Sequence, residues 1–559
     1  MPRISRRPSR EKTMAMRLHL WMAMAACILL TGAIHADDKA DIKAIDDFKT
    51  EPFKQYERED KMRSLAKSGS ADAAGKLIDL LADDYVHIRD AAADILIEMK
   101  GDAVQSSLTR ALSHKNAEIR WRAAEVLGFR LAADSVKELA EKLRADKELA
   151  VREACARALG AIGNDEARKA LLEGLKQGGS SGGACARALG QLGQTDAAER
   201  MEKLLTAKEW QAAAGALDGL ALLGPDAHVK AAAKCAASRD WRVRIATAQC
   251  LARLTQAPAI AEARPTLAEL LKDEDWRVRR RTVEALVDLW QQASVELLIG
   301  ALGSEKEFIV HDIVNALELL SGERKGYSAD GWKMWWEGSK KELAARPKRP
   351  LQGWLKAPLA GQLAQSGGGD STVFFNVPVL KQNAMFVFDL SGSMRDPVSR
   401  SDTRIKFDLA REELAKTLSA LPKGAMFNVG AYRYSSQYPP QTEWMRAFSD
   451  GVREAAPAHI KAANDWIAKV EVKGWGAFYE ALTLPLDDAR VHAIYFMSDG
   501  APSRGAYVKR ENLLAALRRA LRFSPVTINT VTIANKGRDI EFMEDIAKEG
   551  GGACSKPLN

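Results

Sequence analysis

Apolar residues in the first half of the chain recur every three or four positions, in short blocks broken by Gly, Asp or Asn. In the last third they gather into short unbroken runs. The first pattern predicts amphipathic helices and the second buried strands. The helical blocks repeat. Asp72, Asp102, Asp134, Asp165, Asp196 and Asp226 each precede a helical stretch, at spacings of 30, 32, 31, 31 and 30 residues. An aspartate there is expected to cap its helix by accepting hydrogen bonds from free first-turn amides. Leu127-Gly128, Leu159-Gly160 and Leu189-Gly190 are expected to close successive helices, the glycine acting as C-cap. A second register places an arginine after Ile or Val at Arg89, Arg120, Arg152, Arg244 and Arg279.

Each unit is therefore a helix, a turn, a second helix and a turn. One such pair cannot bury its apolar face alone, so about eight units are expected to stack into an α-solenoid. The phrases VREACARALG (from Val151) and IRWRAAEVLG (from Ile119) resemble HEAT-like repeats, of the short kind also found in phycobilisome lyases. That resemblance implies an extended protein-binding surface. It also implies that the repeated arginine bonds to an Asp or to backbone of the next repeat, a structural ladder rather than a phosphate site. Trp121, Trp241 and Trp276 sit beside those arginines, either packed in the core or lining a binding surface. Beyond the repeats, Trp332, Trp335 and Trp336 share one helix face, with Asp330 as N-cap, and the helix is expected to cap the open end of the solenoid. Residues 346–371 are rich in Pro, Gly and Ser and read as a linker that leaves the flanking domains free to move.

From residue 372 strand and helix patterns alternate: AMFVFDL, RIKFDLAREELAKTLSAL, AMFNVGAYRY, VREAAPAHIKAANDWIAKV, then VHAIYFMSDG, RENLLAALRRAL and TINTVTIA. Alternation of this kind predicts a parallel sheet with helices on both faces, and such sheets bind ligands beyond the carboxyl ends of their strands. DLSGSM (Asp389–Met394) and the SDG around Asp499 both fall at strand ends. Ser391 or Ser393 acting as a nucleophile would need a base within hydrogen-bond reach. Of the two histidines in this region, His459 lies in a polar helix. His492 opens the strand that Asp499 closes, about 23 Å away along the strand. From residue 372 onward no G-x-S-x-G elbow, P-loop or HExxH is present, so no enzyme is expected.

Asp389, Ser391 and Ser393, with FMSDGAP around Asp499 and FFNVPV ahead of the first strand, resemble the von Willebrand factor type A domains of exported bacterial proteins. The resemblance implies a doubly wound, Rossmann-like α/β domain. It further implies a metal-ion-dependent adhesion site in which Asp389, Ser391, Ser393 and Asp499 hold Mg²⁺, with Mn²⁺ or Ca²⁺ as substitutes. An acidic side chain of a protein partner would complete the metal shell. The hard oxygen donors suit such an ion, which keeps several waters, and Gly392 permits the tight turn between the serines. One position departs from the family. In GWGAFYEAL, Gly476 stands where the family places a threonine ligand, and Trp475 beside it falls on the site rim. Two readings follow: a metal-dependent adhesion scaffold, or a scaffold whose type A domain has lost its metal and whose repeats alone recognise partners.

The formal charge of +8 changes little. Residues 1–36 hold six of the 82 basic and one of the 74 acidic side chains, and without them the excess falls to +3. No basic stripe with interleaved aromatics points to nucleic acid, and nothing points to a small-molecule substrate. Basic residues, an apolar run from Leu20 to Leu30 and TGAIHA read as a signal peptide ending at Ala36, which places the protein in the periplasm, on the cell surface or outside the cell. An uncleaved membrane anchor is the alternative. Cys155, Cys185, Cys235, Cys250 and Cys554 are odd in number and too widely spaced for a disulfide framework or zinc site, and Cys155 and Cys185, in the matching phrases EACARALG and GACARALG, read as small core residues. The expected organisation is signal peptide 1–36, N-terminal linker 37–65, solenoid 66–322, Trp-rich capping helix 323–345, linker 346–371 and type A domain 372–559.

Overall fold

In the computed structural model, residues 38–51, 54–305, 308–343, 372–380, 383–399, 402–435, 441–533 and 537–556 are described. The expected signal peptide and the 346–371 linker lie outside them. No described helix is long and apolar enough to cross a membrane. The chain forms two compact units. One comprises residues up to Asp83 with Ile88–Ser135, the other Asp84–His87 with Val136 to the end.

In the first unit, residues 37–65 are not a linker. They are helical over 38–47 and Gln55–Ala66, and Ile45, Met62 and Leu65 are fully buried. Arg58, also fully buried, donates to both carboxylate oxygens of Asp83 at 2.9 and 2.5 Å and to the Ile45 carbonyl. The segment is mostly polar because its anchor is a bidentate ion pair rather than a broad apolar stripe.

Helix pairs fill the first part of the second unit. The helices used below are α1 (Leu149–Ile162), α2 (Gly179–Gln191), α3 (Trp210–Leu223), α4 (Trp241–Leu251), α5 (Trp276–Leu289) and α6 (Ala329–Leu343). The Leu-Gly glycines are not caps. Gly128, Gly160 and Gly190 lie inside helices, and the left-handed C-cap of α1 is Gly163. A Cβ on Gly160 would meet Ala188 Cβ at 2.9 Å, and one on Gly190 would meet the Gly219 carbonyl oxygen at 2.7 Å. These glycines let neighbouring helices approach. The periodic aspartates are not side-chain caps either. Ser70 and Asn164 cap the helices that Asp72 and Asp165 were expected to cap, Asp102 sits in a first turn behind Gly101, and Asp134 and Asp196 lie in 3₁₀ turns. Asp226 instead accepts bonds from Thr255 and Gln256 of the following repeat. Asp240 and Asp275 do cap α4 and α5.

Arg120, Arg152, Arg244 and Arg279 reach their own preceding loop, and Arg89, Arg244 and Arg279 reach the next repeat. Arg120 and Arg152 donate to carbonyls five and six residues back; Arg244 and Arg279 do the same. Arg89 also pairs with Glu118, Arg244 with Asp273 and Arg279 with Glu305. Trp332 and Trp336 of α6 are buried against the last repeats. The cap of α6 is Ser328, whose hydroxyl accepts from Gly331 N, rather than the exposed Asp330. Cys155, Cys185, Cys235 and Cys250 are buried and form no disulfide.

The C-terminal sheet contains β3 (Ala384–Asp389), β4 (Met426–Tyr434), β5 (Thr442–Arg446), β6 (Arg453–Glu454), β7 (Ala493–Ser498), β8 (Thr527–Thr532) and β9 (Gly551–Ser555), after a small hairpin of β1 (Val373–Phe374) and β2 (Val377–Pro378). The strand order is β5-β4-β3-β7-β8-β9. β3 runs parallel to β4 and β7, and β7, β8 and β9 continue parallel, but β5 and β6 join β4 antiparallel. The sheet is therefore mixed, not purely parallel. Arg453–Glu454 pairs with β4, and the helix expected from Val452 starts only at Pro457, whose fixed φ suits a first helical turn. Alternate residues of β3 face two cores, Phe386 and Phe388 on one side and Met385 and Val387 on the other. Two further helices are α7 (Lys406–Ser419) and α8 (Arg510–Leu521).

The parts expected to move freely are packed together. Phe523, just after α8, sits edge-on to Trp210 (5.1 Å) and Trp241 (6.5 Å), the first residues of α3 and α4. His492 stacks on Phe308 at 4.2 Å and meets Trp276 at 4.8 Å. Arg280, 4% exposed, donates to the Pro525 carbonyl at 2.6 Å and to Thr527 Oγ1 at 2.7 Å.

Candidate functional site at the strand ends

β3 lies between its two sequence successors, β4 on one side and β7 on the other. The crevice where connections diverge therefore opens at the carboxyl ends of β3 and β7. β3 ends in Asp389 and β7 in Ser498, with Asp499 next in the chain. Three loops meet there and are pinned by backbone. Gly392 N donates to the Gly474 carbonyl at 3.0 Å, Tyr434 and Trp475 exchange two backbone bonds, and Ser503 N and Arg504 N both donate to the Gly476 carbonyl. Gly474 takes φ +97°, and a Cβ there would lie 2.6 Å from the Tyr434 carbonyl oxygen. Only glycine makes that turn without strain.

The four residues chosen from the sequence fall together. Asp389 Oδ1 accepts from Ser391 N at 2.7 Å, and Asp389 Oδ2 from Ser498 Oγ at 2.6 Å. The hydroxyls of Ser391 and Ser393 are 3.3 Å apart, and Ser393 Oγ donates to Asp499 Oδ1 at 2.8 Å. Asp389, Ser391 and Asp499 are buried, and Ser393 is exposed at the mouth. Burial, and then the nearby Asp499 charge, push the Asp389 carboxyl up to about 6 against the bonds from Ser498 and Ser391. Gly476 also belongs to the site: a Cβ there would lie 3.6 Å from Asp389 Oδ2. Trp475 carries the Arg504 guanidinium over its ring at 4.9 Å.

Three participants were not expected. Ser498 anchors Asp389. The Tyr432 phenol is buried beneath the site, and burial and the Asp389 charge hold its pKa well above the ordinary value. Lys406, the first residue of α7, donates from Nζ to Asp499 Oδ2 at 2.6 Å, with its side chain 9% exposed. A signal for Lys406 is present in the sequence, since it shares the buried stripe of Phe407, Ala410 and Leu414.

The oxygen donors suit a hard divalent cation whose remaining positions are filled by water. Among the described residues no group of three or more His, Cys, Asp or Glu is placed to hold a metal ion, so the donors are two carboxylates and two hydroxyls. The Lys406 ammonium already sits on one of those carboxylates. The serine hydroxyls bond to each other and to Asp499. His459 Nδ1 meets the Glu454 carbonyl, and His492 packs at the opposite strand end.

Sequence comparison bears on the helical part. The HEAT repeats family matches residues 104–181 and 229–318, and the PBS lyase HEAT-like repeat matches residues 183–206. The first part of the chain is thus a HEAT-like repeat solenoid, followed by a region built on a mixed sheet. Repeats of this class typically mediate contacts between proteins. Among solved structures, the complex of CpcE and CpcF of phycocyanin lyase from Nostoc is similar at 22% identity, over 44% of this chain and 97% of that chain, with a TM-score of 0.28. Human deoxyhypusine hydroxylase is similar at 21%, over 45% and 96%, with a TM-score of 0.21. A von Willebrand factor type A protein from Catenulispora acidiphila is similar at 20%, over 32% and 40%, with a TM-score of 0.25. No curated protein sequence matches the chain.

Proposed function

We propose that this protein is an exported, non-enzymatic scaffold. Its HEAT-like solenoid presents one binding surface, and its C-terminal region, of von Willebrand factor type A kind, captures a second protein through an acidic side chain on a divalent cation. The observation that carries the reading is the meeting of Asp389, Ser391, Ser393 and Asp499 at the switch point of the sheet. These four residues would hold the ion, preferably Mg²⁺, and water would stand where Gly476 offers no side chain. The ion would supply an electrophilic centre for a partner carboxylate.

A second reading rests on one contact, the 2.6 Å bond from Lys406 to Asp499. Here the ammonium is the resident cation, the site binds no metal, and recognition lies on the repeats. Calorimetric titration of Mg²⁺ and then Mn²⁺ into the full chain separates the two. Binding that disappears in Asp389→Ala supports the adhesion reading. No heat with either ion, in wild type or variant, leaves the Lys406-closed scaffold.

A further inference from the structure

Five helices of the second unit carry a polar residue two positions before a leucine. In α1 to α5 these are Arg157, Arg187, Asp218, Gln249 and Glu284, separated by 30, 31, 31 and 35 residues. They form a row of rungs along one side of the solenoid. Three rungs are used to hold the protein's own C-terminal region. Asp218 Oδ1 accepts from Arg522 Nη2 at 2.6 Å, and Gln249 Oε1 accepts from Arg522 Nε at 3.4 Å. Glu284 pairs with Arg281, which also donates to the carbonyls of Leu521 and Arg522 at the end of α8. On these rungs the solenoid receives a basic element with acidic or neutral side chains.

The two preceding rungs have the opposite sign. Arg157 and Arg187 line a cavity of about 580 Å³ whose other wall carries Arg519, Arg522 and Phe523, with Trp210 between. Arg187, Arg519 and Arg522 also line an adjoining cavity of about 560 Å³, so the two make one trough. Arg157 and Arg519 are exposed. Among the described residues Glu153 is the carboxylate lining the first cavity, and Asp218, Glu284 and Asp288 line the second, against seven arginines lining the two; Asp218 is divided between Arg187 and Arg522, and Glu284 pairs with Arg281. Burial, with Arg187 and Arg281 nearby, holds the Arg522 guanidinium below its ordinary pKa although Asp218 opposes this. Positive charge is thus in excess in a recess with low-dielectric walls, where it attracts anions most strongly.

We propose that this trough docks an acidic, extended segment of a partner protein, with carboxylates on Arg157, Arg187 and Arg519 and an apolar side chain against Trp210 and Phe523. A segment rather than a free anion is favoured by the two joined cavities and by the aromatic wall beside the arginines. The trough lies by the amino end of β8, whereas the DLSGSM loop lies at the carboxyl ends of β3 and β7. The proposal therefore stands whether or not that loop binds a metal.

The test uses the full chain and fluorescein-labelled hexaglutamate, read by anisotropy at about 50 mM salt, where screening is modest. Hexaglutamine and inorganic phosphate serve as controls. Hexaglutamate is expected to bind, to weaken about tenfold or more in Arg157→Glu and in Arg519→Glu, and to weaken less in the glutamine variants. Asp389→Ala and chelator are expected to leave it unchanged. Equal melting temperatures of wild type and variants establish that the fold is kept. Binding no tighter than that of hexaglutamine, binding indifferent to both arginine substitutions, or displacement by equimolar phosphate would each overturn the proposal.

Discussion

Lys406 Nζ donates to Asp499 Oδ2 at 2.6 Å, across 93 residues of chain, with both side chains nearly sealed from water. The lysine begins the helix that follows the DLSGSM loop, and the aspartate follows the neighbouring strand. Their bond ties that helix to the sheet at the candidate site. Removing one member of a buried pair strands the other charge. Lys406→Met is therefore expected to cost about 3–5 kcal/mol in urea unfolding of the C-terminal region. Lys406→Met with Asp499→Asn should recover much of that loss. If the single variant unfolds like wild type, the pair is not the tie described here.

Gly476 leaves room for the side chain that the resemblance expects. The nearest atoms to a Cβ there are Phe478 Cε1 at 3.4 Å, Asp389 Oδ2 at 3.6 Å and the Ala501 carbonyl oxygen at 3.7 Å. These are ordinary contacts, and the backbone is not left-handed. Gly476→Thr is expected to fold with a melting temperature within a few degrees of wild type. On the adhesion reading it adds a hard oxygen donor and should tighten Mg²⁺ or Mn²⁺ binding by about tenfold, a gain of about 1.4 kcal/mol. Calorimetry on the two proteins side by side measures it. Equal affinities would mean that a threonine at this position adds no ligand.

The helix and strand patterns made most elements legible, because apolar periodicity reports which faces are buried. The finer roles were less so. Leu159-Gly160 and Leu189-Gly190 carry the composition of a helix end, yet their glycines are there because Ala188 and Gly219 approach within contact distance of the missing Cβ. Residues 37–65 lack a broad apolar stripe because buried Arg58 finds its partner in Asp83, 25 residues away. β5 was missed because all five of its residues are only partly buried, so no alternation marks it. Asp389, Ser391, Ser393 and Asp499 were readable as a group from motif and strand ends. The contact of Phe523 with Trp210 and Trp241 joins segments about 300 residues apart and leaves no period in the sequence.

Close helix packing makes a sharp prediction at Gly215. A Cβ there would lie 2.3 Å from the Gly183 carbonyl oxygen and 2.6 Å from Gly183 Cα. Neither is the end of a flexible side chain, so α2 and α3 would have to part. Gly215→Ala is expected to lower stability by about 1–3 kcal/mol or more, despite the better helix propensity of alanine. Thermal unfolding monitored by circular dichroism checks it, and a gain in melting temperature would count against such close packing.

His492 offers a pH test of how the solenoid and the sheet region hold together. Burial, then the charges of Arg280 and Arg279, lower its pKa to about 3, with Asp488 pulling the other way. Its ring stacks on Phe308 and meets Trp276, and the Asn383 amide donates to Nδ1 at 3.3 Å, so the folded state holds a neutral imidazole. In the unfolded chain the same group titrates near 6.5. A depressed folded pKa contributes stability that is whole above the unfolded value and is lost as pH falls toward the folded one. Between pH 7 and pH 5 the loss from this group should be about 2 kcal/mol. His492→Gln keeps a polar side chain but cannot take up the proton. Its stability should lie below wild type at pH 7, through lost ring stacking, and should fall less steeply toward pH 5. Urea unfolding at both pH values gives the two slopes, and parallel slopes would show that His492 does not titrate between them.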